Sequence, residues 1–239
     1  IYKNRLMMLD IVTNNNWKRP IYFSGGAFDN EDYLWMKEFL QLEGMVYKLV
    51  PVRTQLPKGA SQIDMGQIDT DIMFDKVMQW NWGNSESLSI YHDPETRRNS
   101  ITYRMNLSRL MTRLIAEGKM DKAKKVIDLA MTKMPVDQFE YYSLVDPFAK
   151  GYYDVGEKAK AQKLLTQLIG KYTENLNYYS HLSSTEQVDI AIEIVTDIER
   201  YRGLLEIMKE SGDTALYEKS KKTFNNYISI FERFGREKE

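Results

Sequence analysis

Apolar residues along this chain change their spacing about a third of the way in. Tyr2, Leu6 and Leu9, with Met8 and Val12, recur at helical intervals before the polar stop Asn14-Asn15-Asn16. Pro20 then opens a short apolar run, Ile21-Tyr22-Phe23, ended by Gly25-Gly26, which reads as a buried strand. Asp32 is placed to cap a helix carrying Tyr33, Met36, Phe39 and Leu40 on one face, closed by Gly44. Val46 to Val50, stopped by Pro51, is a second strand. A strand, a helix and a strand in that order predict a parallel, right-handed crossover. Residues 53 to 68 read as a loop, and Asp71 to Trp80 as a helix bearing Met73, Val77 and Trp80.

Beyond Asn81-Trp82-Gly83 the helical period takes over. Leu107, Leu110, Met111 and Leu114 form one stripe, Glu117-Gly118-Lys119 a turn, and Ala123, Ile127 and Ala130 the returning stripe. These positions fit the tetratricopeptide pattern of about 34 residues, in which small side chains let paired helices approach closely. Phe148, Gly151 and Tyr152, then Gly156, then Ala161, Leu165 and Leu168 repeat it. A third pair is off-pattern. Val188, Ile192 and Val195 are assigned to one long helix, Gly212 to the turn, and Phe224, Tyr227, Ile228 and Phe231 to the last helix. Tyr217 stands where the small alanine should be, so this pair is read as a capping hairpin. The expected fold is α+β but mostly α: a small α/β unit with two parallel strands over 1–90, then a tetratricopeptide-like array over 91–239. Its hairpins are expected at about 100–135, 144–172 and 185–234.

Composition narrows the function classes. With 33 Lys+Arg against 34 Asp+Glu, the formal charge of −1 gives no global electrostatic case for nucleic acid. No stretch approaches the roughly 18 apolar residues of a membrane helix, so no direct membrane insertion by this chain is expected. The absence of cysteine removes disulfides and thiolate chemistry, and two histidines leave little room for imidazole chemistry. No cofactor and no metal is called for. The opening IYKNRLMMLDIV lacks an initiator Met and a signal sequence, and is read as the start of a C-terminal piece of a longer parent.

The candidate chemistry is sparse. Ser24-Gly25-Gly26 follows a strand, where main-chain N–H groups hold anions in open α/β sheets, but neither glycine-rich phosphate motif is present. Arg19, Ser24, Gly25, Gly26 and Asp29 are the candidate ligand residues there, set against an ordinary tight turn. His92-Asp93 is weighed as an oriented imidazole against a polar loop entering a helix. Asp64, Asp69, Asp71 and Asp75 lack calcium-loop spacing, and the Lys219, Lys221, Lys222 run reads as a wet helix face. The pairs Tyr141-Tyr142, Tyr152-Tyr153 and Tyr178-Tyr179 offer contact area at low entropic cost, making Tyr142, Tyr153 and Tyr179 candidates for binding peptide or glycan. Asp213-Thr214-Ala215 has the form of a bacterial O-glycosylation triplet, against the plainer reading of Asp213 as a helix cap.

Several strings carry a family resemblance. They are WKRPIYFSGG, YLWMKEFLQLEGMVYKLVPV, FDKVMQWNWGN and IYHDPETRRNSITYRMNLSRLMTRLIAEGKMDKAKKVIDLAM. In this order they resemble the soluble C-terminal part of large bacterial multi-pass membrane proteins of unknown function, related to protein O-mannosyltransferases. The resemblance covers most of residues 1 to about 170 and fades over the last 70. It implies a membrane part with lipid-linked-sugar glycosyltransferase architecture, followed by this region on the periplasmic face of the inner membrane. The catalytic acid of such enzymes lies in the membrane part, so the resemblance assigns no catalytic residue here. The leading expectation is a non-catalytic accessory domain that packs on the membrane part of its own polypeptide or binds polypeptide or glycan. An independent enzyme built on Ser24-Gly25-Gly26 with His92 or Asp29, and a purely structural spacer, are the alternatives.

Overall fold

The structure, a computed structural model, describes residues 3–24, 34–54 and 65–234, excluding the side chains of Leu34 and Arg233. Tyr2, Gly25, Gly26, Asp29, Asp32, Tyr33 and Asp64 lie outside the described residues. The chain forms two compact units, 1–139 and 140–239.

The first unit begins with helix α1 (Lys3–Asn15), which buries none of its residues. Strand β1 (Tyr22–Ser24) follows, then a 3-10 turn (Leu34–Phe39), strand β2 (Leu40–Glu43) and strand β3 (Val46–Leu49). The sheet order is β1-β3-β2, and both pairings are antiparallel. The expected parallel crossover is therefore incorrect. Its helix was continued through Leu40 and closed at Gly44, whereas Leu40, Gln41 and Leu42 alternate as a strand and Gly44 is the hairpin turn at φ 78°. An apolar pair two apart and a following glycine suit either element, and the cross-strand partner decides. Leu40 faces Leu49, and Leu42 faces Tyr47. All four are buried.

Glu43 at the end of β2 is buried and accepts hydrogen bonds from Tyr22 Oη at 3.2 Å and Gln41 Nε2 at 2.9 Å. Lys76 lies 3.1 Å and Lys48 3.6 Å from its carboxylate. Burial would raise its pKa, but the Lys76 hydrogen bond and the charges of Lys48 and Lys76 outweigh that and hold it below the ordinary value.

Helix α2 (Thr70–Met78) starts at Asp69, whose side chain accepts from the N–H groups of Asp71 and Ile72. It packs Met73, Phe74 and Val77 inward against β2, helix α3 (Pro94–Ala116) and helix α4 (Met120–Lys133). Asp71 receives Lys119 at 2.8 Å and Lys122 at 2.6 Å. Hydrogen bonds from these lysines bring its carboxyl down to about 2. Within the acidic string, Asp69 is thus a helix cap and Asp71 an ion-pair anchor. Short α5 (Val136–Phe139) completes the unit.

The second unit contains α6 (Asp146–Asp154), α7 (Lys158–Ser180), α8 (Ser184–Asp189), α9 (Ala191–Glu210) and α10 (Thr214–Ile230). The expected single helix through Val188, Ile192 and Val195 is broken at Ile190, and these three side chains are exposed. The buried face of α9 is instead Ile194, Ile198, Tyr201, Leu204, Leu205 and Met208. Ser183 supplies a new start for α8: its hydroxyl accepts from the Glu186 N–H while the Glu186 carboxylate accepts from the Ser183 N–H.

Three helical hairpins, α3–α4, α6–α7 and α9–α10, share one turn. In each, a glycine just past the first helix takes positive φ: Gly118 at 73°, Gly156 at 80° and Gly212 at 70°. Its N–H bonds back to Ile115, Tyr153 or Lys209, and the next residue's N–H reaches Leu114, Tyr152 or Met208. Orphan carbonyls at the helix end are satisfied this way, and a residue without a Cβ suits the left-handed position. Ala123 and Ala161 are fully buried on the returning helices, as their small-residue positions predict.

Candidate functional site

One concave feature of the first unit is a pocket of 430 Å³. Its far wall is one face of α3, where Thr96, Asn99, Ser100 and Tyr103 lie at successive spacings of three, one and three. Trp80, just past α2, and Trp82 in the following loop also line the pocket. The ring centroids of Trp80 and Trp82 are 5.6 Å apart, those of Trp80 and Tyr103 5.4 Å, and those of Trp82 and Tyr103 5.5 Å. Planes inclined by 52–83° set ring edges against faces, the favourable arrangement for aromatic quadrupoles. Trp80 also lies against Gly44, where a Cβ would come within 2.7 Å of its ring, so this glycine makes room for the indole.

The loop carrying Trp82 is fastened down. Asn81 Oδ1 accepts from the Gly83 N–H at 3.0 Å, while Ser85 Oγ donates to the Lys133 carbonyl at 2.6 Å. Gln138 Nε2 donates to the Ser87 carbonyl at 2.9 Å. His92 closes the pocket's side, its ring stacked on Phe139 at 4.4 Å. His92 Nε2 lies 2.8 Å from the Ser85 carbonyl, which can only accept, so the proton sits on Nε2. Asp93 does not orient this imidazole; its carboxylate accepts from the N–H and hydroxyl of Thr96 at 2.9 Å each and caps α3.

Two polar atoms of the pocket stand out. Ser100 is 2% exposed, and neither its hydroxyl nor the buried Trp82 Nε1 has a hydrogen-bond partner within the protein. Leaving such groups unpaired costs about 1–3 kcal/mol each, and both atoms are closed off from solvent. Among the described residues the lining contains no Lys, Arg, Asp or Glu.

Of the candidate site residues singled out from sequence, His92 lines the pocket and the other described ones do not. Arg19 and Ser24 are exposed, and the Arg19 carbonyl accepts from Asn15 Nδ2 at 2.7 Å. Gly25, Gly26 and Asp29 fall outside the described residues, as does any convergence of His92 or Asp29 on that turn. In the second unit, Tyr153 Oη donates to Asp213 at 2.7 Å and Tyr179 Oη to Asp197 at 3.4 Å, so two candidate tyrosines are tied to different carboxylates. Burial pushes the Tyr153 hydroxyl upward and, reinforced by the charge of Asp197, the Tyr179 hydroxyl to about 12. Tyr142 sits edge-on to the buried Tyr172 at 6.3 Å. Asp213 occupies the N-cap position of α10 without a side-chain capping bond; its carboxylate is buried and accepts from Tyr153 and from Gln162 at 2.8 Å, with Lys158 at 3.4 Å. The cap expected of its side chain is therefore a tie between hairpins.

The aromatic pocket was missed. Its signal was the Trp-x-Trp spacing at 80–82, but the α3 wall is Thr, Asn, Ser and Tyr, and a search for apolar periodicity passes over such a face.

Residues 1–72 match the family model described as TMEM260-associated domain 2. That segment ends inside α2, and it brings one pocket residue, Met45, within the match. No curated protein and no solved structure matches the chain. No helix among the described residues is long and apolar enough to cross a membrane.

Proposed function

We propose that this chain is a non-catalytic, periplasm-facing accessory domain of a membrane glycosyltransferase resembling protein O-mannosyltransferases, and that it binds polypeptide or glycan. The observation that carries this reading is the uncharged pocket floored by Trp80, Trp82 and Tyr103, a binding surface built without an acid–base pair. The match of residues 1–72 to a TMEM260-associated domain supports a membrane-protein context. Leu6, Met7, Leu9 and Ile11 of α1 are all exposed, which suits packing against the membrane part of the same polypeptide. The tetratricopeptide-like reading of the hairpins is supported by their common glycine turn and by buried Ala123 and Ala161.

The test is an assay of the purified chain with activated and lipid-linked sugar donors. No transfer and no hydrolysis is expected, whereas turnover above a boiled control overturns the accessory reading. For the second unit alone, a spacer role has its own support: Tyr153 and Tyr179 spend their hydroxyls on the chain's own carboxylates.

A further inference from the structure

We propose that the pocket between α3 and the Trp80–Trp82 loop is a binding site for a neutral hexopyranoside, with Trp82 and Tyr103 as the aromatic surface and Asn99 and Asn81 as the polar contacts. This rests on the accessory reading and names the ligand class for it.

The chemistry of the walls selects that class. A pyranose presents a face of C–H groups and a rim of hydroxyls that both donate and accept. It therefore needs aromatic surface beside uncharged hydrogen-bonding groups. Both kinds of group line this pocket, and its 430 Å³ falls within the range of about 300–1,000 Å³ usual for small-ligand sites. Asn99, exposed on the α3 wall, carries an amide that both donates and accepts. Asn81 holds its loop through Oδ1 and so keeps its amide hydrogens for a ligand. His92, protonated on Nε2 toward Ser85, leaves Nδ1 as a further polar atom.

The same walls disfavour other ligands. With no lysine or arginine among the described residues that line it, the pocket offers none of the charge that phosphate or nucleotide recognition requires. A cation cage needs its rings spread around the ion, whereas these three rings sit 5.4–5.6 Å apart and pack on one another. A peptide strand would need a row of free main-chain groups, and the α3 wall is made of side chains.

The experiment is a titration of the whole chain with methyl glycosides of glucose, galactose, mannose and N-acetylglucosamine. Tryptophan fluorescence and ligand-observed saturation-transfer NMR are the readouts. At least one glycoside should saturate with a Kd of about 0.1–10 mM. Asn99→Ala, at an exposed position, should weaken it about 3- to 10-fold, and Trp82→Ala at least about tenfold. Each variant is checked by far-UV circular dichroism, and Tyr153→Phe in the second unit should leave the affinity unchanged. No saturable binding by any glycoside, equal affinity for a folded Asn99→Ala chain, or competition by an unglycosylated peptide alone each overturns the proposal. These results leave the accessory reading standing, because that reading falls only on turnover of a donor.

Discussion

Asp146 at the start of α6 provides a sharp test of the packing in the second unit. Its Oδ1 is buried without a hydrogen-bond partner, and burial raises its carboxyl from 3.8 to about 7. The positive charge of Arg200 and the helix N-terminus both pull in the opposite direction, and desolvation wins. Around it stand Tyr172 of α7, whose hydroxyl is also buried and unpaired, and Arg200 of α9, which lies 3.8 Å from Asp197. A carboxyl whose folded pKa lies above its unfolded value stabilises the fold while protonated. The benefit is complete below about pH 4 and is lost as pH rises through about 7. With the unfolded group fully ionised from pH 5.5 upward, the loss between pH 5.5 and 8.5 works out at about 2 kcal/mol.

Asp146→Asn removes this titration. The variant should be more stable than the parent by about 4 kcal/mol at pH 8.5 and still by about 2 kcal/mol at pH 5.5, and the gap should close only toward pH 4. Hydrogen exchange at the buried amides of α6 and α7, corrected for intrinsic rates, reads the second unit directly, and carbon-13 carboxyl NMR reads the group itself. Arg200→Gln should move the titration further upward, since it removes a cation drawing it down. Identical pH dependence in parent and Asp146→Asn, or an Asp146 carboxyl titrating near 4, would refute the reasoning.

Other perturbations follow from the same coordinates. Glu43→Gln deprives Lys76 and Lys48 of their buried partner and should cost about 1–3 kcal/mol at pH 7 in urea denaturation. Because the Glu43 pKa is lowered, this contribution is present above about 4.5 and should fade as pH falls below it, so the difference between variant and parent narrows in acid. Asp213→Ala leaves Tyr153 and Gln162 without their acceptor and should lower the stability of the second unit by about 1–3 kcal/mol, seen as faster exchange at the α6–α7 turn. Gly156→Ala meets no atom within 4 Å, so its cost should be the left-handed backbone alone, about 1 kcal/mol in the thermal midpoint analysis; a loss of 3 or more would indicate a contact.

Legibility from sequence followed the kind of physics involved. Hairpins were readable wherever apolar stripes ran at helical spacing up to a glycine, because burial and the left-handed cap act locally: Leu107 to Ala130 and Phe148 to Leu168 appear as expected. The small sheet was misread because four residues, Leu40 to Glu43, suit either a helix end or a strand, and only pairing with Val46 to Leu49 settles it. Val188, Ile192 and Val195 are exposed on either side of the break at Ile190, while the buried face of α9 is shared with Asp197 and Tyr201. Hydrophobicity alone does not tell an exposed stripe from a buried one.

The pocket was invisible for a deeper reason. A core is detectable because its residues are apolar and periodic, but a site that holds a hydroxylated ligand must keep polar groups on its inner face. On α3 the two demands meet on one helix. Leu107, Leu110, Met111 and Leu114 bury the second half, while Thr96, Asn99, Ser100 and Tyr103 line the cavity along the first. A solvent-facing segment of ordinary helix would have the same polarity as that first half. What separates them is position alone: these four side chains line a cavity that Trp80 and Trp82 also line, and that neighbourhood is set by the fold rather than by the spacing along α3.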